Sequence, residues 1–196
     1  LVVGLAFIDI IDQLVTQQFT GTMRQDATVS FVRAQSGQAI HDVAHLPGVI
    51  DVEPLRSVPA RLRVGHRWRT LALSGVLADP RLNRITDRVG RPITVPERGL
   101  VISAMLGEIL GARAGDLVQV EVLEGRRPVF AIPVVALVDD ALGLQGYVHI
   151  DTLRRLMREG PSISGAFLTL DAAARDAFYR KVKQVPAVAG VALREV

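Results

Sequence analysis

Two histidines four residues apart, in His41-Asp42-Val43-Ala44-His45, are the pattern in this sequence closest to a catalytic centre. Positions i and i+4 share one face of a helix, which is how zinc peptidases present two imidazoles to a metal beside a carboxylate that activates water. Here the acid is Asp42, shorter in reach than Glu, and Leu46-Pro47-Gly48 stops the helix with no third ligand in view. The residues read better as solvated histidines near a helix C-terminus, where their charged form suits the dipole. A small metal-dependent hydrolase using His41, Asp42 and His45 is retained as the alternative. Gly160-Pro161-Ser162-Ile163-Ser164-Gly165 fails G-x-S-x-G in either register and lacks a paired base, so it reads as a turn into the last strand. The adjacent carboxylates Asp139-Asp140 would point to opposite sides of a strand, cannot form an acid/base pair, and read as the start of a loop.

The best surface candidate is a hairpin, residues 58–64 and 67–75 around Gly65-His66, carrying Arg61, Arg63, Arg67, Trp68 and Arg69. Strand alternation puts Arg61 and Arg63 on one face and Leu62 and Val64 on the other. Such a stripe could meet lipid heads, a partner protein, or single-stranded nucleic acid with Trp68 stacking. One aromatic is a thin stacking platform, and the pattern reads better as an ordinary solvated hairpin face.

Composition removes other chemistries. The chain has 196 residues, 23 basic and 20 acidic, for a formal charge of +3. Nearly all the cations are arginine, so a basic isoelectric point accompanies little net charge, and nucleic acid is not an expected partner. With 49% apolar and 22% charged residues the chain can bury a core. It has no cysteine, hence no disulfide, thiol nucleophile or iron–sulfur centre. Lys181 and Lys183 are the only lysines and follow no phosphate-cradling glycines, which excludes a P-loop; G-x-G-x-x-G is missing too. No cofactor and no catalytic residue is expected. The longest apolar run, residues 1–8, is far short of the roughly 20 needed to span a bilayer. With no initiator methionine or leader pattern, Leu1 reads as a cut point.

The elements that must position these residues follow from periodicity. Ile8, Ile11, Val15, Phe19 and Met23 recur at helical spacing after an all-apolar start, as where a membrane span leaves the bilayer or a core helix is clipped. Residues 28–32 alternate as a strand, 36–45 read as a short helix, and a strand resumes at 49–52. The far end repeats this order: a strand over 166–170, Asp171 as N-cap, a helix carrying Ala174, Phe178, Val182 and Val185, then a strand over 188–193. The matching junctions Leu46-Pro47-Gly48-Val49 and Val185-Pro186-Ala187-Val188 suggest a split β-α-β layer of ferredoxin-like type. The middle half is β-rich: the arginine hairpin, a second hairpin over 117–123 and 128–138, and short helices capped by Ser103 and Asp151. Residues 76–98, rich in Arg, Pro, Asp and Gly, are expected as an exposed loop.

Taken in order, these pieces resemble the extracytoplasmic (periplasmic core) domain of ABC transporter permeases of the MacB/FtsX-like class, which includes LolC-like permeases. The resemblance is carried by Arg24-Gln25-Asp26 before the first strand, Leu46-Pro47-Gly48-Val49 followed by Val52-Glu53-Pro54, and Gly99-Leu100-Val101-Ile102-Ser103. It continues through residues 110–116 into Val118-Gln119-Val120, then Tyr147-Val148-His149-Ile150 and Val185-Pro186-Ala187-Val188. It implies an α+β architecture with a discontinuous split β-α-β subdomain (residues 23–57 and 160–196), an inserted β-rich subdomain (58–159) and a membrane-proximal helix (1–22). It further implies a non-enzymatic domain outside the bacterial cytoplasmic membrane. A separate cytoplasmic ATPase would bind nucleotide, the intact transporter would be a dimer, and the domain would act on a cargo or partner protein outside the membrane. Contact with that partner or with lipid heads is expected at Arg61, Arg63, Arg67, Trp68 and Arg69.

Overall fold

The computed structural model describes residues 25–87, 91–138 and 143–193. The helix expected over residues 8–23 and the Asp139-Asp140 pair lie outside them. Among the described residues no helix is long and apolar enough to cross a membrane.

The chain ends build one layer. β1 (Ala27–Ser36) leads through α1 (Ala39–Ala44) into β2 (Val49–Val64). At the other end β8 (Ser162–Leu170) leads through a 3₁₀ turn (Ala172–Ala174) and α4 (Arg175–Val182) into β9 (Val188–Leu193). Their order is β2-β8-β1-β9, every neighbouring pair antiparallel. Each β-α-β unit therefore has a strand of the other unit inserted between its own two, the arrangement of a split β-α-β layer. Alternation sends Ala27, Val29, Ala166, Leu168 and Leu170 to one face, where Val43 of α1 and Phe178 and Val182 of α4 cover them. Asp171 caps the second unit as expected, its Oδ1 accepting from the Ala173 N–H at 3.0 Å.

The middle of the chain closes on itself. β3 (Arg67–Val76), β4 (Leu100–Ser103), β5 (Leu117–Val122), β6 (Val129–Val138) and β7 (Gly146–His149) join the second half of β2. Round the ring the order is β2-β3-β7-β4-β6-β5 and back to β2. Closure leaves none of these six strands as an open edge. Inward-facing Leu62, Leu73, Ile102, Val120, Val134 and Val148 fill the barrel, joined by Leu106 and Leu110 of α2 (Ala104–Leu110) and Leu153 and Met157 of α3 (Ile150–Met157). Ser103 caps α2 as its position predicts: its Oγ accepts from Leu106 N–H at 3.3 Å and from Gln145 N–H at 3.1 Å, and Gly111 closes the helix in the left-handed conformation. Because both donors are buried, Ser103→Ala is expected to cost about 1–2 kcal/mol, read as a lowered urea midpoint with an unchanged m-value.

One strand joins layer and barrel. β2 runs unbroken for 16 residues, pairing with β8 over Val49–Leu55 and with β3 from Arg56 onward. Pro54 is tolerated because β2 is the edge of the first layer. At the handover Arg56 is fully buried. Its Nε and Nη2 donate to Glu159 Oε2 and Oε1 at 3.0 and 2.9 Å, and Nη2 also donates to Glu124 Oε1 at 2.7 Å. Glu124 belongs to the β5–β6 turn and Glu159 to the α3–β8 loop, so one guanidinium ties three segments together where the strand changes sheets.

Three expectations are corrected. Residues 77–87 and 91–98 form no regular strand but are not exposed throughout: Leu82, Ile85 and Val95 are buried with Leu55, Val101 and Phe167 between layer and barrel. The Glu53 carboxylate, itself buried, accepts from the backbone N–H of Arg81 at 2.7 Å and of Leu82 at 3.1 Å, so this loop can go inside without orphaned amides. Second, residues 162–165 are strand. Gly165 sits opposite Ser30 and Leu55, and a Cβ there would stand 2.5 Å from the Val29 carbonyl oxygen. The glycine serves close strand approach and not a turn. Third, the N-cap of α3 is His149, whose Nδ1 accepts from Asp151 N–H at 3.3 Å, while Asp151 lies in the first turn and pairs with Arg154 at 2.9 Å.

Candidate functional site

The outer wall of the barrel brings part of the arginine hairpin together with a strand that is remote in sequence. Register sets Trp68, Arg63, Gln119 and Ala131 in one row across β3, β2, β5 and β6. Thr70, Arg61, Glu121 and Val129 form the next. The side chains of these rows point outward because Leu62 and Val120, between them in sequence, point in. They border a groove of about 520 Å³ lined by Arg61, Arg63, Trp68, Gln119, Glu121 and Val129.

Its geometry is partly preset. Arg61 Nη1 donates to Glu121 Oε2 at 3.2 Å, and its guanidinium lies 5.0 Å from the Trp68 ring centroid. The ion pair is half exposed, so it is worth at most about 1 kcal/mol in stability, yet with the cation–π contact it fixes one wall of the groove. Arg63 differs. Its Nε donates to the Gly65 carbonyl at 3.0 Å, and among the described residues no carboxylate reaches it. Arg61 and Glu121 cancel, and Arg63 leaves the groove with one net positive charge. Val129 and Trp68 add exposed apolar surface beside it, and Leu117 and Val135 extend that surface along the same wall.

The five residues grouped by sequence do not stay together. Arg61, Arg63 and Trp68 line the groove. Arg67 and Arg69 have the opposite parity on β3: Arg67 lies over Gly111 at the C-terminus of α2, and Arg69 Nη1 donates to the Trp68 carbonyl at 2.8 Å. Sequence reasoning missed Gln119, Glu121 and Val129, since nothing local marks β5 as the neighbour of β2.

The histidine motif is not assembled for metal binding. α1 ends at Ala44, His45 is its C-cap, and His45 Nδ1 donates to the His41 carbonyl at 2.6 Å. Asp42 is exposed, and among the described residues no group of three or more potential ligands is placed to hold a metal ion. The serines of the 160–165 segment are engaged structurally. Ser164 Oγ accepts from Ser57 N–H at 2.7 Å and Ser162 Oγ donates to Glu159 Oε2 at 2.7 Å.

No family model and no curated protein matches the sequence. Solved structures do. The extracellular domain of the noncanonic ABC-type transporter YknZ from Gram-positive bacteria aligns at TM-score 0.54 and 13% identity, covering 87% of this chain and 100% of that one. The periplasmic region of MacB from Actinobacillus actinomycetemcomitans aligns at TM-score 0.54 and 14% identity, covering 88% of this chain and 90% of that one. The fold is the one these two transporter domains share. In this MacB-like fold the α+β class and the order of elements agree with the sequence reading.

Proposed function

We propose that this chain is a non-enzymatic extracytoplasmic domain of an ABC transporter permease. It passes motion driven by a separate cytoplasmic ATPase to a cargo or partner protein outside the bacterial cytoplasmic membrane. The observation that carries this reading, beside the MacB-like fold, is that Ala27 and Leu193 are register partners on β1 and β9. The outer ends of β1 and β9 lie side by side, which suits a domain inserted between two membrane segments. In this reading residues 23–57 and 160–196 form the membrane-proximal stem and residues 58–159 the outer body. β2 is the strut between them, since it is the strand shared by stem and barrel, and Arg56 clamps it to the α3–β8 loop where the chain crosses back. Two copies would stand together in the intact transporter.

The sequence has no cysteine, which makes topology direct to test. In the full-length permease, stripped of any cysteine elsewhere, His66→Cys at the exposed β2–β3 turn is expected to react with a membrane-impermeant maleimide in intact spheroplasts as fully as after lysis. Reaction only after lysis would reverse the assigned side and end the proposal.

A further inference from the structure

We infer that the Arg61–Arg63–Trp68 groove docks an acidic segment of a partner protein, with a carboxylate on Arg63 and an apolar side chain on the Trp68–Val129 wall. Among the described residues no carboxylate pairs with Arg63, and its guanidinium fork matches a carboxylate in two hydrogen bonds. Trp68 and Val129 are 48% and 56% exposed, and with Leu117 and Val135 on the same wall they make a contiguous apolar surface beside the cation. Tryptophan and arginine are also the residues that most often dominate protein interfaces. Arg61, held by Glu121 and stacked on Trp68, loses little freedom when a partner arrives.

Anionic lipid heads offer the same charge, and position decides against them. Ala27 and Val52 both lie opposite Leu168, so the chain entry is level with Val52. β1 and β2 are both antiparallel to β8, so β2 runs away from that point, and Arg63 lies eleven residues further along it. At about 3.3 Å per residue that is up to roughly 36 Å, several times the screening length of about 8 Å in physiological salt. This step rests on the membrane-anchored reading above; the chemistry of the groove does not.

Trp68 is the only tryptophan in the chain and serves as the reporter. The probe is a capped peptide alternating Glu or Asp with Leu and Phe, set against the same peptide with lysine for each acid, and against phosphatidylglycerol vesicles. The acidic peptide is expected to change Trp68 emission saturably, with affinity falling at high salt and at least about tenfold in Arg63→Glu, while the lysine peptide and the vesicles do nothing. Arg63 is exposed, and an unchanged far-UV spectrum verifies that the variant folds. Val129→Asp is expected to weaken binding without removing the cation. No saturable change, an equal response to the lysine peptide, or indifference to Arg63→Glu overturns the inference. A response to vesicles and not to peptide overturns it in favour of lipid. Failure of the maleimide experiment would remove only the argument against lipid, leaving the peptide result to be judged alone.

Discussion

Replacing Arg56 with alanine is expected to lower the unfolding free energy by about 3 kcal/mol. The side chain is 1% exposed and bonded to two carboxylates that are 39% and 27% exposed. Removing one member of a fully buried pair costs roughly 3–5 kcal/mol, and the low end applies because Glu124 and Glu159 can rehydrate. Arg56→Met, which keeps most of the volume beside Met157, is expected to cost less than Arg56→Ala, and the difference measures packing as distinct from charge. Acid gives a second reading. Burial raises the Glu159 carboxyl, but the hydrogen bonds from Arg56 and Ser162 and the charges of Arg56 and Arg154 outweigh it and leave the group below its ordinary 4.5. A carboxyl depressed in the folded state contributes stability that is present above the unfolded value and lost as pH falls through the folded one. The gap between wild type and Arg56→Ala should therefore be full at neutral pH and narrow as pH falls below about 4.5. Urea unfolding at stepped pH measures it, and a gap that widens in acid would contradict the assignment.

Phe178→Ala is expected to cost about 3–5 kcal/mol, while Tyr179→Ala, one residue on, stays near 0.5 kcal/mol. Phe178 is completely buried on the helical face of the β2-β8-β1-β9 layer, among Val29, Val43 and Leu168. Truncation loses its transfer energy and leaves a cavity bounded by strands that cannot collapse freely. Tyr179 faces water, with Lys183 stacked 4.1 Å from its ring centroid, a contact worth little when hydrated. Urea denaturation followed by far-UV ellipticity separates the two. Similar losses for both would mean that α4 is not seated by the stripe that includes Phe178 and Val182.

Much of this architecture was legible locally. Helix and strand periods are written within a few residues, so β1, α4 and β9 could be placed from alternation and from the Phe178–Val182 spacing, and the Ser103 and Asp171 caps from residue type alone. The echo between Leu46-Pro47-Gly48-Val49 and Val185-Pro186-Ala187-Val188 indicated that the two ends form related units, because a proline stop followed by an apolar run has few structural meanings. Loop 76–98 misled because its charged and proline residues outnumber Leu82, Ile85 and Val95. What buries it is the carboxylate of Glu53, more than twenty residues earlier.

The order of elements, the α+β class, the lack of a P-loop and the exclusion of thiol and disulfide chemistry were determined by the amino-acid sequence by itself, since each depends on residue type or on neighbours along the chain. Barrel closure, the handover at Arg56, the strand role of Gly165 and the meeting of Arg61 with Glu121 were decided only by tertiary structure. Each depends on which strand lies beside which, and pairing between segments sixty or a hundred residues apart is selected by the burial of whole faces together. No short pattern records that choice, so half the groove was invisible until β5 stood next to β2.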